Sequence, residues 1–140
     1  MRHEASFRVE AVSLSRLAGF AAGTRVATPQ GAVAVESLRR GDWVRTDEGA
    51  SQVLATEARA ARVAPVRVAA EALGLGMPGR DLLVGPATRL WLPRQSRPVE
   101  AFRLVDGQFV TEESARGMTL WTLVFASARV VRAEGVEVCL

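Results

Sequence analysis

Phe20-Ala21-Ala22-Gly23-Thr24-Arg25-Val26-Ala27-Thr28-Pro29-Gln30-Gly31, followed after Ala32-Val33 by Ala34-Val35-Glu36-Ser37-Leu38-Arg39-Arg40-Gly41-Asp42-Trp43-Val44, is the stretch whose reading decides the fold. Arg25-Val26-Ala27-Thr28 and Ala32-Val33-Ala34-Val35 are short alternating runs of the kind that form half-buried strands. Between them, Thr28-Pro29-Gln30-Gly31 carries turn chemistry: proline presets φ at about −65°, and glycine closes the turn without a side chain to strain it. Arg40-Gly41-Asp42 and Asp47-Glu48-Gly49 punctuate the next run, Trp43-Val44-Arg45-Thr46. Gly31 and Gly41 stand where the backbone must be permissive. Val35, Leu38, Val44 and Val53 are expected to face one shared core.

The same pattern continues outward. Gln52-Val53-Leu54-Ala55-Thr56, Val66-Arg67-Val68, Asp81-Leu82-Leu83-Val84, Arg89-Leu90-Trp91-Leu92, Leu120-Trp121-Thr122-Leu123-Val124-Phe125 and Val130-Val131-Arg132 read as strands. Asp106-Gly107 is a tight-turn dipeptide. Helical signals are few: one turn over residues 69–73 ended by Gly74, and another over 98–104 with Pro98 near its start. Residues 1–18 are ambiguous, although Phe7-Arg8-Val9-Glu10-Ala11-Val12 alternates like a strand. Many short strands, tight turns and no regular βα alternation predict an all-β fold, either a sandwich or an irregular barrel.

Composition narrows the chemistry. The 140 residues fit one domain, and 49% hydrophobic residues suffice for a core. No run reaches the roughly 18 apolar residues of a membrane span, and Arg8, Glu10 and Arg16 interrupt any signal-peptide core. A soluble chain is expected, either cytoplasmic or one piece of a larger exported polypeptide. The net charge is +3 although the pI is about 10.8. With no Lys and no Tyr, every basic residue is an Arg that stays protonated, so the pI overstates the basicity. The one cysteine, Cys139, and the one histidine, His3, leave disulfide, zinc and most nucleophile–base chemistries short of partners. No metal and no cofactor are expected.

Several motifs in order resemble the bacterial Hint (hedgehog/intein-type) domain family. These are the Phe, Gly-Thr and Thr-Pro-x-Gly elements of the opening stretch, then Val35-Glu36-Ser37-Leu38 and Gly41-Asp42-Trp43-Val44. Pro65-Val66-Arg67-Val68, Ala72-Leu73-Gly74, Arg80-Asp81-Leu82-Leu83-Val84, Phe125 and Ala133-Glu134-Gly135 follow in the family's order. The resemblance covers about residues 19–138. It implies a horseshoe-like β fold of short strands with few or no helices over residues 19–140. Residues 1–18 would then be an N-terminal extension or a first strand.

The resemblance also implies a self-cleaving activity whose residues are replaced here. In the family a Cys directly before the Phe attacks the preceding carbonyl, and a His in a Ser-Pro-x-His motif protonates the leaving amine. This chain has Gly19 at the Cys position and Gly85-Pro86-Ala87-Thr88 for the histidine motif. A hydroxyl such as that of Thr88 donates a hydrogen bond but carries no exchangeable charge at neutral pH. A later family histidine falls on Thr122, and the polar segment after Phe125 becomes Ala126-Ser127-Ala128. The register requires Gly19 and Thr88 to lie side by side in the folded molecule.

Taken residue by residue, Gly19 also fits a linker or strand-edge glycine, and Thr88 and Thr122 fit strand residues satisfied by backbone or water. Trp43, Trp91 and Trp121 fit core or strand-face positions, His3 a solvated terminus, and Cys139 a small apolar residue near a frayed end. The reading that follows is a Hint-like domain without autoprocessing residues, a non-catalytic binding or structural module. It would serve an unidentified protein partner or precursor segment. One alternative is an active self-cleaving domain using Ser13, Ser15 or Thr24. Another is an anionic-surface or nucleic-acid binder built on Arg39-Arg40, Arg59, Arg62, Arg94 and Arg97. Interspersed acidic residues and the lack of a recognition helix argue against nucleic acid.

Overall fold

A computed structural model describes residues 17–140. The architecture is all-β, with two short 3₁₀ turns at Val35–Ser37 and Ala101–Leu104. Thirteen strands follow in order: β1 (Arg25–Thr28), β2 (Gly31–Ala34), β3 (Trp43–Thr46), β4 (Gly49–Gln52), β5 (Ala55–Val63), β6 (Val66–Val68), β7 (Leu82–Val84), β8 (Arg89–Leu92), β9 (Arg97–Glu100), β10 (Val110–Glu112), β11 (Arg116–Val124), β12 (Val130–Ala133) and β13 (Val136–Cys139). No helix among the described residues is long and apolar enough to cross a membrane.

The opening stretch folds as its turn chemistry dictates. β1 and β2 pair antiparallel from Arg25↔Ala34 to Thr28↔Gly31, and the Thr28 hydroxyl reaches the Gly31 carbonyl across the turn. Gly31 and Gly41 adopt φ of +118° and +95°, a region in which a Cβ is strained. Val35, Leu38, Val44 and Val53 are all buried in one cluster with Phe20, Val26, Leu82, Val84, Leu90 and Val138. The main sheet has the strand order β2-β1-β12-β13-β8-β9, with β3 joining β12 and β4 joining β3. Strands β10-β6-β7 form a second sheet, and β5 and β11 form a long two-stranded ribbon from Ala55↔Val124 to Val63↔Arg116.

Some expectations change. The strand expected over 52–56 is the end of β4 and the start of β5. Between them Val53 breaks off to exchange backbone hydrogen bonds with Gly41 and Asp42. The helical turn expected over 98–104 divides into edge strand β9 and the second 3₁₀ turn. Proline is compatible with an edge strand because its missing N–H faces outward there. Residues 69–73 make a single turn closed by Ala72 N–H to Ala69 O at 3.0 Å. Cys139 is not frayed: it lies in β13 between Val130 and Arg89. His3, Ser13, Ser15 and the alternating run 7–12 lie outside the described residues.

Candidate functional site

Phe20 is the residue that organises the site. It forms single bridges to Val84 at the end of β7 and to Trp121 in β11, and so joins the three-stranded sheet to the ribbon. Its N–H and carbonyl exchange hydrogen bonds with Trp121 at 2.8 Å each, and its side chain is fully buried. Ala21 N–H then donates to Leu83 O at 3.0 Å. Residues 17–19 therefore lie between β11 and the turn that follows β7.

That turn, residues 85–88, carries the positions matched to the histidine motif. It is fixed by Thr88 N–H to Gly85 O at 3.1 Å and by two donations from the second 3₁₀ turn, Ala101 N–H to Thr88 O at 2.8 Å and Phe102 N–H to Pro86 O at 3.0 Å. Against it Gly19 makes three contacts. Its N–H donates to Thr88 Oγ1 at 3.0 Å, its carbonyl accepts Gly85 N–H at 3.0 Å, and the Thr88 hydroxyl donates back to that carbonyl at 3.3 Å. Thr88 is 2% exposed, so these bonds are sheltered from water. Gly19, Gly85 and Thr88, distant in sequence, are thus brought together as the register requires.

The Gly19 nitrogen is the amine that would leave if the Ala18–Gly19 bond broke. Here it is a hydrogen-bond donor, its lone pair delocalised in the amide. Thr88 accepts that bond and supplies no proton to the nitrogen. At Gly19 φ is +135°, and a Cβ placed there would stand 3.0 Å from both Leu120 Cβ and the Trp121 carbonyl oxygen. A side chain beginning there would crowd Leu120 and the Trp121 carbonyl. Thr122 is half-buried in β11 opposite Glu57, and Ala128 is exposed in the turn before β12. Among the described residues, no hydrogen bond ties either of them to Gly19 or Thr88.

The alternative residues are accounted for in part. Thr24 is buried and its hydroxyl donates to Ala21 O at 2.8 Å within the 21–24 turn. Arg39 and Arg40 lie in the turn before β3, Arg59 and Arg62 on β5, and Arg94 and Arg97 at the β8–β9 hairpin, all exposed and on separate elements. A surface cleft of about 430 Å³ lined by Arg45, Trp91, Arg132 and Glu137 contains none of the site positions. Among the described residues no group of three or more His, Cys, Asp and Glu could hold a metal ion. The Cys139 thiol is pushed up by burial. Sequence reasoning missed Leu17, which proves to be a buried part of the site. Its only sequence signal is an apolar residue just upstream of Gly19.

Comparison with known proteins bears on the fold and the family. Among solved structures the chain is similar to the gp41-1 intein (TM-score 0.61, 13% identity, 86% of this chain and 97% of that one). It is also similar to a bacterial intein-like domain from Clostridium thermocellum (TM-score 0.60, 19% identity, 87% and 96%) and to the MchDnaB-1 intein (TM-score 0.57, 15% identity, 85% and 98%). No curated protein matches the chain. The family model described as the Hint domain matches residues 18–138. The chain therefore belongs to the Hint domain family and has its all-β fold.

Proposed function

We propose that this Hint domain keeps its Ala18–Gly19 peptide bond intact and acts as a non-catalytic binding or structural module for the polypeptide that enters the site. On this reading residues 19–140 are the domain and residues 1–18 an extension whose last two residues reach the site. The carrying observation is the pairing of the Gly19 N–H with the Thr88 hydroxyl, where cleavage would need a proton donor. Three further features support it. Gly19 offers no nucleophile, a Cβ there would meet Leu120 and the Trp121 carbonyl at 3.0 Å, and the next described hydroxyl along the chain, Thr24, is committed to a turn. Self-cleavage needs an attacking group within about 3–3.5 Å of the carbonyl and a proton for the amine.

The test is chemical trapping. The purified chain is incubated with hydroxylamine or dithiothreitol, either of which would intercept an ester or thioester at Ala18, and its intact mass is read. The expected result is one unchanged mass. A fragment ending at Ala18, or its hydroxamate, would overturn the proposal.

A further inference from the structure

Leu17 stands two residues before Gly19 and is 5% exposed. Its side chain packs with Val63 of β5 and Leu120 of β11, bordered by Ala61 and Met118. Its carbonyl accepts Ala87 N–H at 2.8 Å. The same carbonyl lies so close to residue 85 that a Cβ there would be 2.6 Å from the oxygen and 3.0 Å from Leu120 Cδ1. Contacts that short are not made, so Leu17 is seated only because residue 85 has no side chain. The motif that this turn resembles has serine at that position. Glycine here lets the Leu17 carbonyl lie against the turn.

We infer that Gly85 and the Leu17 pocket form a strand-docking seat, which selects the polypeptide entering the domain by an apolar residue two positions before Gly19. This rests on the reading that the Ala18–Gly19 bond survives. The seat reads backbone through the N–H groups of Gly85 and Ala87 and the Thr88 hydroxyl. It reads side chains at residue 17, in the small apolar pocket, and at residue 20, in the main core. Ala18 is exposed and is not read. Residue 19 favours glycine, because its φ of +135° strains any other side chain. The selected pattern is apolar, any residue, glycine, then a large apolar residue. A polar side chain at 17 would be buried without a partner.

Amide hydrogen exchange on the full chain tests the seat. In Leu17→Ala the Ala87 and Gly85 amides are expected to exchange about tenfold faster or more, while Val131 and Val138 in the main sheet keep their protection. Leu17→Met and Ala18→Asp are expected to behave as wild type. Gly85→Ala should reproduce the Leu17→Ala pattern, and the double variant should add little to either alone, because each already empties the same seat. Equal acceleration throughout the chain, or unchanged exchange at Ala87, would overturn the inference. If Gly85→Ala does not fold, the Leu17 and Ala18 variants still decide. Cleavage at Ala18 in the intact mass would instead refute the reading on which the seat rests.

Discussion

Thr88→Val removes one oxygen from the buried site and is nearly isosteric, so its cost can be worked from the contacts. The lost hydroxyl accepts Gly19 N–H at 3.0 Å and donates to Gly19 O at 3.3 Å. The carbonyl keeps its bond from Gly85 N–H and loses little. The Gly19 N–H is left without a partner beside a residue that is 2% exposed. An unpaired buried N–H costs about 1–3 kcal/mol. At about 2 cal/mol/K of unfolding entropy per residue, this lowers Tm by about 3–10 °C. Thr88→Ser keeps the oxygen and loses one methyl, about 1 kcal/mol. Urea unfolding followed by tryptophan fluorescence measures both, with m unchanged in a two-state transition. If Thr88→Val is as stable as wild type to within about 0.3 kcal/mol, below the smallest cost expected, the hydroxyl does not hold the Gly19 amide and the site has been misread.

Gly19→Ala should cost about 1–3 kcal/mol from φ strain alone, since φ is +135° there, and more from the contacts at 3.0 Å; a urea curve that matches wild type would contradict this. Asp106 accepts N–H bonds from Val110, Gln108 and Phe109, which hold its carboxyl below the ordinary value. A carboxyl lowered on folding stabilises above its unfolded pKa, and that contribution is lost as pH falls through the folded value. Asp106→Asn should therefore lose less stability than wild type on acidification, measured by unfolding across the carboxylate range. Cys139 is half-buried in β13 with its thiol pushed up by burial, so a disulfide reagent at neutral pH should label it slowly and urea should release it; fast labelling of the folded chain would contradict its placement.

The turns and core of the opening stretch were legible because single residues decide them. Pro29 and Gly31 set the first hairpin, and Val35, Leu38, Val44 and Val53 recur at spacings that bury them together. The meeting of Gly19, Gly85 and Thr88 was legible only through the order of the motifs, since no local property of a glycine or threonine announces it. Other elements left weaker traces. β5 is rich in alanine and exposes Glu57, Arg59 and Arg62, so it lacks the alternation of a strand with one buried face. β9 begins Arg97-Pro98, which resembles a helix start, and it is a strand only because it lies at a sheet edge. β13 alternates as Val136-Glu137-Val138-Cys139, yet it was missed, because its position at the chain end made Cys139 read as a frayed residue. The Leu17 seat was not, because it depends on a carbonyl meeting a glycine far along the chain.

The most direct measurement follows the Ala18–Gly19 bond in the whole chain carrying a folded reporter domain ahead of Met1. The untreated fusion is held at neutral pH for several days and its mass is recorded at intervals. A site whose junction amide is bonded to Thr88 and faces no attacking group yields a single species of constant mass. Free reporter extended through Ala18, accumulating with time in a fusion shown to be free of protease, would mean that the domain still cuts its own backbone.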